Sequence, residues 1–473
     1  MTTQANGRSQ RGNARRSDRR VAWTLCLLLT LAPAHGQIRL PSAPATPSVP
    51  NVPTVPGTPG VPLPNLPASA PGLVTAPLRS ADSLAAAVPL RELRQRTTGE
   101  LLRSHADRVE SDPAGEPIVR GELLLVSPSA ALLAAARAQG FSVLREQTFE
   151  GLGERIVALR APPGIGTAAA LAQLRGIDPK LDVDFNHLYT RSGTTADGQV
   201  HDANAHMPVP QPAGASRVRV GLVDGGVDAQ HPALRGADIH GWGCGGKALS
   251  SPHGTAVASL MAGSIGPFRG AAPAASLYAA DVYCAQATGG AVETIVQALA
   301  WMAREQVPVI NVSLVGPANR LLERAVRALA ARGQIIVAAV GNDGPHAPAL
   351  YPAAYPDVIG VTAVNASRSV LPEAARGPQV YFAAPGADMA VATERGFEPA
   401  RGTSYAAPIV AGLLASLLRA PEPAAAVRAI SELARSATDL GEPGRDPAYG
   451  WGLVGETVRV RPERMQAYLR GSR

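Results

Sequence analysis

Four polar residues stand where buried apolar runs end or begin in this 473-residue chain: Asp224 after "VRVGLV", His253 in "SPHGTAVASLMAG", Asn342 after "QIIVAAVG" and Ser404 in "GTSYAAPIVAG". Their types are those of acyl-transfer chemistry. A serine hydroxyl is a weak nucleophile until a base takes its proton, the base needs an acid to hold its tautomer, and the developing oxyanion needs a donor. Each residue also has a plain local reading. Ser404 and His253 are polar residues at helix starts, where they cap. Asp224 and Asn342 open "DGG" and "NDG", which are turns. Singly, the local readings of Asp224, Asn342 and Ser404 compete strongly. Together, the four supply one candidate each for acid, base, nucleophile and oxyanion donor.

The elements that would position them alternate. "VRVGLVD", "SLYAADVY", "VPVINVSLV", "GQIIVAAVG" and "DVIGVTAV" are short, nearly continuous apolar runs, separated by the helical patterns "GTAVASLMAGSI", "AVETIVQALAWMAREQ" and "RLLERAVRALAARG". Buried strands separated by helices predict an α/β fold, a doubly wound and mostly parallel sheet with helices on both faces. Ligand sites in such sheets gather at the carboxyl ends of strands. Gly254 and Thr255 are expected to open a helix with Ala256, Val257, Leu260 and Met261 inward. Pro408 is expected in the first turn of the helix after Ser404, where a missing N–H is tolerated.

The order Asp, His, Ser is that of subtilisin. "VGLVDGGVD", "HGTAVASLMAG" and "GTSYAAPIVAG" resemble the aspartate, histidine and serine motifs of the subtilisin-like serine peptidases, the subtilase family. "VINVSL", "AAVGNDG", "YPAAYPDVIGVTAV" and "DPAYGWGLV" resemble further segments, so the likeness covers about residues 210 to 460. The resemblance implies that Ser404 attacks a peptide carbonyl, His253 relays the proton, Asp224 orients the imidazole and Asn342 binds the oxyanion. Ser313, Leu314 and Val315 would present a free strand edge to an extended polypeptide substrate. Val315, where Gly is usual, and Leu350, just before "YP", would make the P1 pocket shallow. Further departures are Gly225 for Thr or Ser, Ala256 for a second His, and Tyr405 for Met. The resemblance implies no required cofactor. Structural calcium is common in the family, but no compact acidic cluster suggests ligands, and Asp228 and Asp238 read as ordinary loop residues. A monomer is expected.

Upstream, "GELLLVS", "SAALLAAARAQG", "FSVLREQTF", "ERIVALRAP", "GTAAALAQLRG" and "LDVDFNHLY" follow one another as βαββαβ. This small α+β domain resembles the family's propeptide, an intramolecular chaperone and inhibitor. The expected organisation is a signal peptide at 1–36, a Pro-rich linker at 37–81, the propeptide-like domain at 82–190 with a charged helix over 82–110, a linker at 191–212, the catalytic domain at 213–460 and a C-terminal tail at 461–473. A basic start, the apolar "VAWTLCLLLTLAP" and the small residues Ala34 and Gly36 read as an export signal cut before Gln37, so membrane contact is expected only transiently, during export to the periplasm or medium. The Pro-rich run reads as a semi-rigid spacer.

Formal charge is +7, but the first 36 residues carry six arginines against one aspartate, so only +2 belongs to the remainder. No basic stripe with interleaved aromatics occurs there, which argues against a nucleic-acid partner. Cys26 falls in the signal; Cys244 and Cys284 remain, and an exported chain favours their pairing over two buried thiols. The leading expectation is an exported endopeptidase made as a self-processing zymogen. The competing one is a non-catalytic binding module of the same shape on a Pro-rich stalk. An α/β-hydrolase esterase conflicts with the chain order and with the absence of G-x-S-x-G around Ser404.

Overall fold

The computed structural model describes residues 90–191 and 217–471, except 248, 287 and 395. The segments read as signal peptide and Pro-rich linker lie outside the described residues. The described part begins with α1 (Leu90–Ser104) and β1 (Val109–Ser111), so the helix expected over 82–110 stops at Ser104 and its last residues are strand. The βαββαβ unit follows: β2 (Pro117–Val126), α2 (Ala130–Ala138), β3 (Ser142–Phe149), β4 (Glu154–Arg160), α3 (Thr167–Ile177) and β5 (Val183–Arg191). The strands form an antiparallel sheet in the order β5-β2-β4-β3, with β1 on β2.

Period-two alternation sends the two faces of this sheet to different partners. Leu123, Leu125, Val157 and Leu159 pack against Leu132, Leu133, Leu171 and Leu174 of α2 and α3. Leu124, Val126, Ile156 and Ala158 face the other way, into an apolar cluster formed with helices of the second half. The near-continuous "LLLV" run is thus explained by burial on both faces.

The second half is built from β6 (Arg219–Asp224), β7 (Asp238–Trp242), α4 (Pro252–Ala262), β8 (Ser276–Asp281), β9 (Gly290–Ala291), α5 (Val292–Arg304), β10 (Val309–Val312), β11 (Leu314–Val315), α6 (Arg320–Ala331), β12 (Ile335–Ala339) and β13 (Val358–Val364). It continues with β14 (Val380–Pro385), a hairpin of β15 (Met389–Thr393) and β16 (Gly396–Ala400), α7 (Thr403–Leu417), α8 (Pro423–Ser436) and α9 (Pro462–Gly471). Seven strands pair in parallel in the order β14-β13-β12-β10-β6-β8-β7. One face carries α4, α7 and α8, and the other α5 and α6. Val220 and Leu222 point to the first cluster and Val223 to the second, as a doubly wound sheet requires.

Several expectations need correction. β7 is polar and lies at the sheet edge, which hides its period; Asp238 is therefore a strand residue, its carboxylate accepting the Ser276 hydroxyl at 2.6 Å. β14 and the β15–β16 hairpin were not expected either. The presumed tail holds α9, whose Met465 is fully buried in the first cluster. α4 starts at Pro252, and every residue from His253 to Ala262 is buried, so it has no outward side. Among the described residues no helix is long and apolar enough to cross a membrane.

Candidate active site

Asp224 closes β6 and His253 is the second residue of α4. Two local features join them. Ser251 caps α4 by accepting the Gly254 N–H at 3.0 Å, which sets where the helix begins. A methyl group at Gly254 would stand 2.3 Å from the Gly225 carbonyl oxygen, so only glycine lets the helix approach the loop after Asp224 this closely. Both Asp224 carboxylate oxygens then lie 2.9 Å from His253 Nδ1, and Oδ1 also accepts the Gly225 N–H at 2.6 Å. The carboxylate must receive a proton, so Nδ1 carries it and Nε2 is the basic nitrogen of the neutral ring. Asp224 therefore opens its turn and orients an imidazole at once.

Ser404 is the second residue of α7, whose N-cap is Gly402. The cap reading of Ser404 is therefore overturned, because the hydroxyl lies inside the first turn. Its Oγ and His253 Nε2 are buried and have no hydrogen-bond partner. Buried polar atoms left without partners are uncommon, and reactive centres are where they collect.

Pro408 belongs to the second turn rather than the first. It has no N–H for the carbonyl four residues earlier, which is that of Ser404. The Ser313 hydroxyl donates to that carbonyl at 3.2 Å and accepts from Asn311 Nδ2 at 2.8 Å. The proline thus opens a gap in the helix ladder, and a side chain from the end of β10 occupies it.

Asn342 follows β12. Its side-chain oxygen accepts the Thr403 N–H at 3.0 Å, satisfying one of the amides that open α7. Because an N–H must meet an acceptor, the amide orientation is determined, with Nδ2 on the opposite side. Asn342 is thereby tied to the residue before Ser404.

The strand edge expected to be free is occupied. Thr190 and Arg191 of β5 pair antiparallel with Val315 and Leu314, and Tyr189 and Leu188 pair with Gly290 and Ala291 of β9. β5 runs two residues beyond the expected strand end because these partners, distant in sequence, complete its ladder. Tyr189 is fully buried and donates its hydroxyl to the Pro317 carbonyl at 2.6 Å. Charges clamp the same junction. Arg145 bridges Glu122 at 2.7 Å and Glu293 at the start of α5, and Arg324 bridges Asp182 at 3.0 Å and Glu154 at 2.6 Å. Val315 and Leu350 are both buried, with Leu350 Cδ1 close to Gly341.

Tyr405 is buried with its ring centroid 5.6 Å from that of His253. Burial and then the Asp224 charge hold its phenol well above the ordinary range, so it stays neutral. Sequence reasoning had marked Tyr405 as a departure without placing it; it belongs to the core against the imidazole. Arg191, Tyr283 and Asp281 went unnoticed, since none falls in a motif. A disulfide joins Cys244 and Cys284 beside Asp281. Among the described residues these three form the one group that could hold a metal ion, and sulfurs bonded to each other are not thiolate ligands.

The profile of the "Subtilase family" matches residues 215–452. Subtilisin DY of Bacillus licheniformis is 32% identical over 252 residues, covering 50% of this chain and 89% of that protein. Subtilisin E of Bacillus subtilis is 34% identical over 251 residues, 50% of this chain and 64% of its own length. The minor extracellular protease Epr of the same organism is 32% identical over 207 residues, so the match spans 43% of this chain and about a third (32%) of that relative. The crystal structure of fervidolysin from Fervidobacterium pennivorans, a keratinolytic enzyme related to subtilisin, superposes with a TM-score of 0.57 at 20% identity, over 74% of this chain and 61% of that one, and shows the shared fold. With the profile spanning half of its length, the chain belongs to the subtilase family.

Proposed function

We propose that this protein is an exported serine endopeptidase, made as a zymogen that shortens itself and acting as a monomer without a required cofactor. One observation carries the reading. A polypeptide strand already lies antiparallel on Leu314–Val315, next to Ser313, whose hydroxyl holds the Ser404 carbonyl. A substrate seated the same way would bring its scissile carbonyl to Ser404.

In this reading Ser404 Oγ attacks that carbonyl while His253 Nε2 takes the proton. Asp224 keeps Nδ1–H in place and stabilises the imidazolium. The oxyanion receives hydrogen bonds from Asn342 Nδ2 and the Ser404 backbone N–H. Losing the side-chain donor costs about 100- to 1000-fold in turnover, a magnitude known from subtilisin and carried over here. The imidazolium then protonates the leaving amine, and water, activated by the same base, releases the acid and restores Ser404. The upstream domain acts as chaperone and inhibitor, with β5 covering the cleft. Val315 and Leu350 make the P1 pocket shallow and favour small or medium-sized P1 side chains.

The test is chemical and direct. Wild-type chain should shorten on incubation and react with a fluorophosphonate at Ser404, whereas Ser404→Ala stays full length. Equal shortening of the isolated Ser404→Ala chain would refute self-cleavage. Failure of the shortened wild type to label would favour the binding-module reading.

A further inference from the structure

Arg191 ends β5 beside the candidate reactive centre, and its side chain is received by a built pocket. Its guanidinium carbon lies 4.8 Å from the centroid of the Tyr283 ring. Two consecutive glycines form the wall. A methyl group at Gly225 would stand 3.4 Å from Arg191 Nη2, and one at Gly226 would stand 3.1 Å from Asp281 Oδ2. Tyr283 and Asp281 are both buried, and the disulfide lies directly behind Asp281. With Arg191 in place the residual cavity is about 10 Å³, at the lower limit for a single water. Two buried carboxylates, Asp224 and Asp281, supply the local field. Burial pushes the Asp281 carboxyl above its ordinary value; the Cys284 and Tyr283 N–H groups oppose that shift, and the Arg191 charge adds a smaller effect in the same direction.

We propose that this pocket is a guanidinium subsite, so that the enzyme selects peptide substrates with arginine two residues before the scissile carbon–nitrogen bond, counting the residue at that bond as the first. The position follows from register. Arg191 pairs with Leu314, so the next residue of an extended chain falls opposite Ser313, which holds the Ser404 carbonyl. The planar cation stacks on the ring face, where a lysine ammonium has less contact. Gly225, which stands where Thr or Ser is usual in the family, belongs to the pocket wall. The inference rests on the peptidase reading and names its substrate class.

The test uses the full chain and a double-mutant cycle, with self-shortening followed by intact mass. Arg191→Leu should slow shortening about tenfold, Asp281→Asn should do the same, and the pair together should be no slower than either alone. The Asp281→Asn change keeps a side-chain oxygen for the Tyr283 and Cys284 N–H groups, which the carboxylate accepts at 2.9 Å each. Each of the four full-length forms should still unfold in a single cooperative urea transition, which separates loss of recognition from loss of fold. In a second arm, the coumarin amide of Tyr-Thr-Arg-Ser should be cleaved about tenfold faster than its citrulline counterpart, which has the same shape without the charge. Equal cleavage of the two peptides by a protein that labels, or additive effects in the cycle, would overturn the subsite and leave the peptidase reading standing. A wild-type chain that neither shortens nor labels would overturn the peptidase reading, and the subsite with it.

Discussion

The Ser313 hydroxyl donates to the Ser404 carbonyl at 3.2 Å, the acceptor that Pro408 leaves unused in the helix. The residue before the Leu314–Val315 edge and the proposed nucleophile are therefore joined by one hydrogen bond. Ser313→Ala should strand a buried carbonyl and cost about 1–2 kcal/mol, read by urea unfolding. It should also slow fluorophosphonate labelling. Pro408→Ala restores the helical donor and should make the Ser313→Ala loss smaller, so non-additivity of the two substitutions checks the relationship.

Tyr405 packs against the His253 ring. Tyr405→Phe keeps that contact, and labelling should stay within about twofold of wild type. Tyr405→Ala opens a core cavity and should destabilise by about 3–5 kcal/mol, the range for large aromatic truncations. If Tyr405→Ala labels at the wild-type rate, the ring does not position the imidazole.

The disulfide between Cys244 and Cys284 closes a sequence separation of 40 residues. Removing it with paired serines should cost about 3–4 kcal/mol by loop-closure entropy, seen as a lower guanidinium midpoint with a steeper slope, because the uncrosslinked denatured chain is less compact.

His231 should make the protein sensitive to mild acid. Its Nδ1 accepts the Ala233 N–H at 3.1 Å and its Nε2 donates to the Gly396 carbonyl at 3.0 Å, so the fold requires the neutral ring. Burial lowers its pKa from the ordinary 6.5. Between the folded value and 6.5 the unfolded chain binds a proton that the native chain does not. Stability contributed by His231 is thus present above 6.5, declines as pH falls toward the folded value, and is lost below it. Urea unfolding from pH 7.5 to 5 should show this limb in wild type, and His231→Asn, which can keep an acceptor and a donor, should flatten it.

The α/β architecture was legible because five of the seven parallel strands, β6, β8, β10, β12 and β13, are nearly continuous apolar runs separated by helical patterns. The βαββαβ order was legible because its helices are amphipathic and end at Gly140 or shortly after Gly176. β7 was not legible, since an edge strand such as "DIHGW" need not be apolar. α9 was hidden because only Met465 of its ten residues is buried. The triad residues were visible by type and order, yet the role of Pro408 was misjudged because turn counting depends on where the helix begins.

By itself the sequence determined the residue types that acyl transfer needs, their order, and the elements whose ends carry them, because those follow from local patterning. Tertiary structure alone decided three things. It put β5 on the Leu314–Val315 edge, because backbone pairing across more than 120 residues leaves no periodic trace. It set Tyr405 against His253, because ring packing depends on where two helices start. And it enclosed Arg191 between Tyr283 and the glycine wall at 225 and 226, because a pocket is made by surfaces that meet only when the chain has folded.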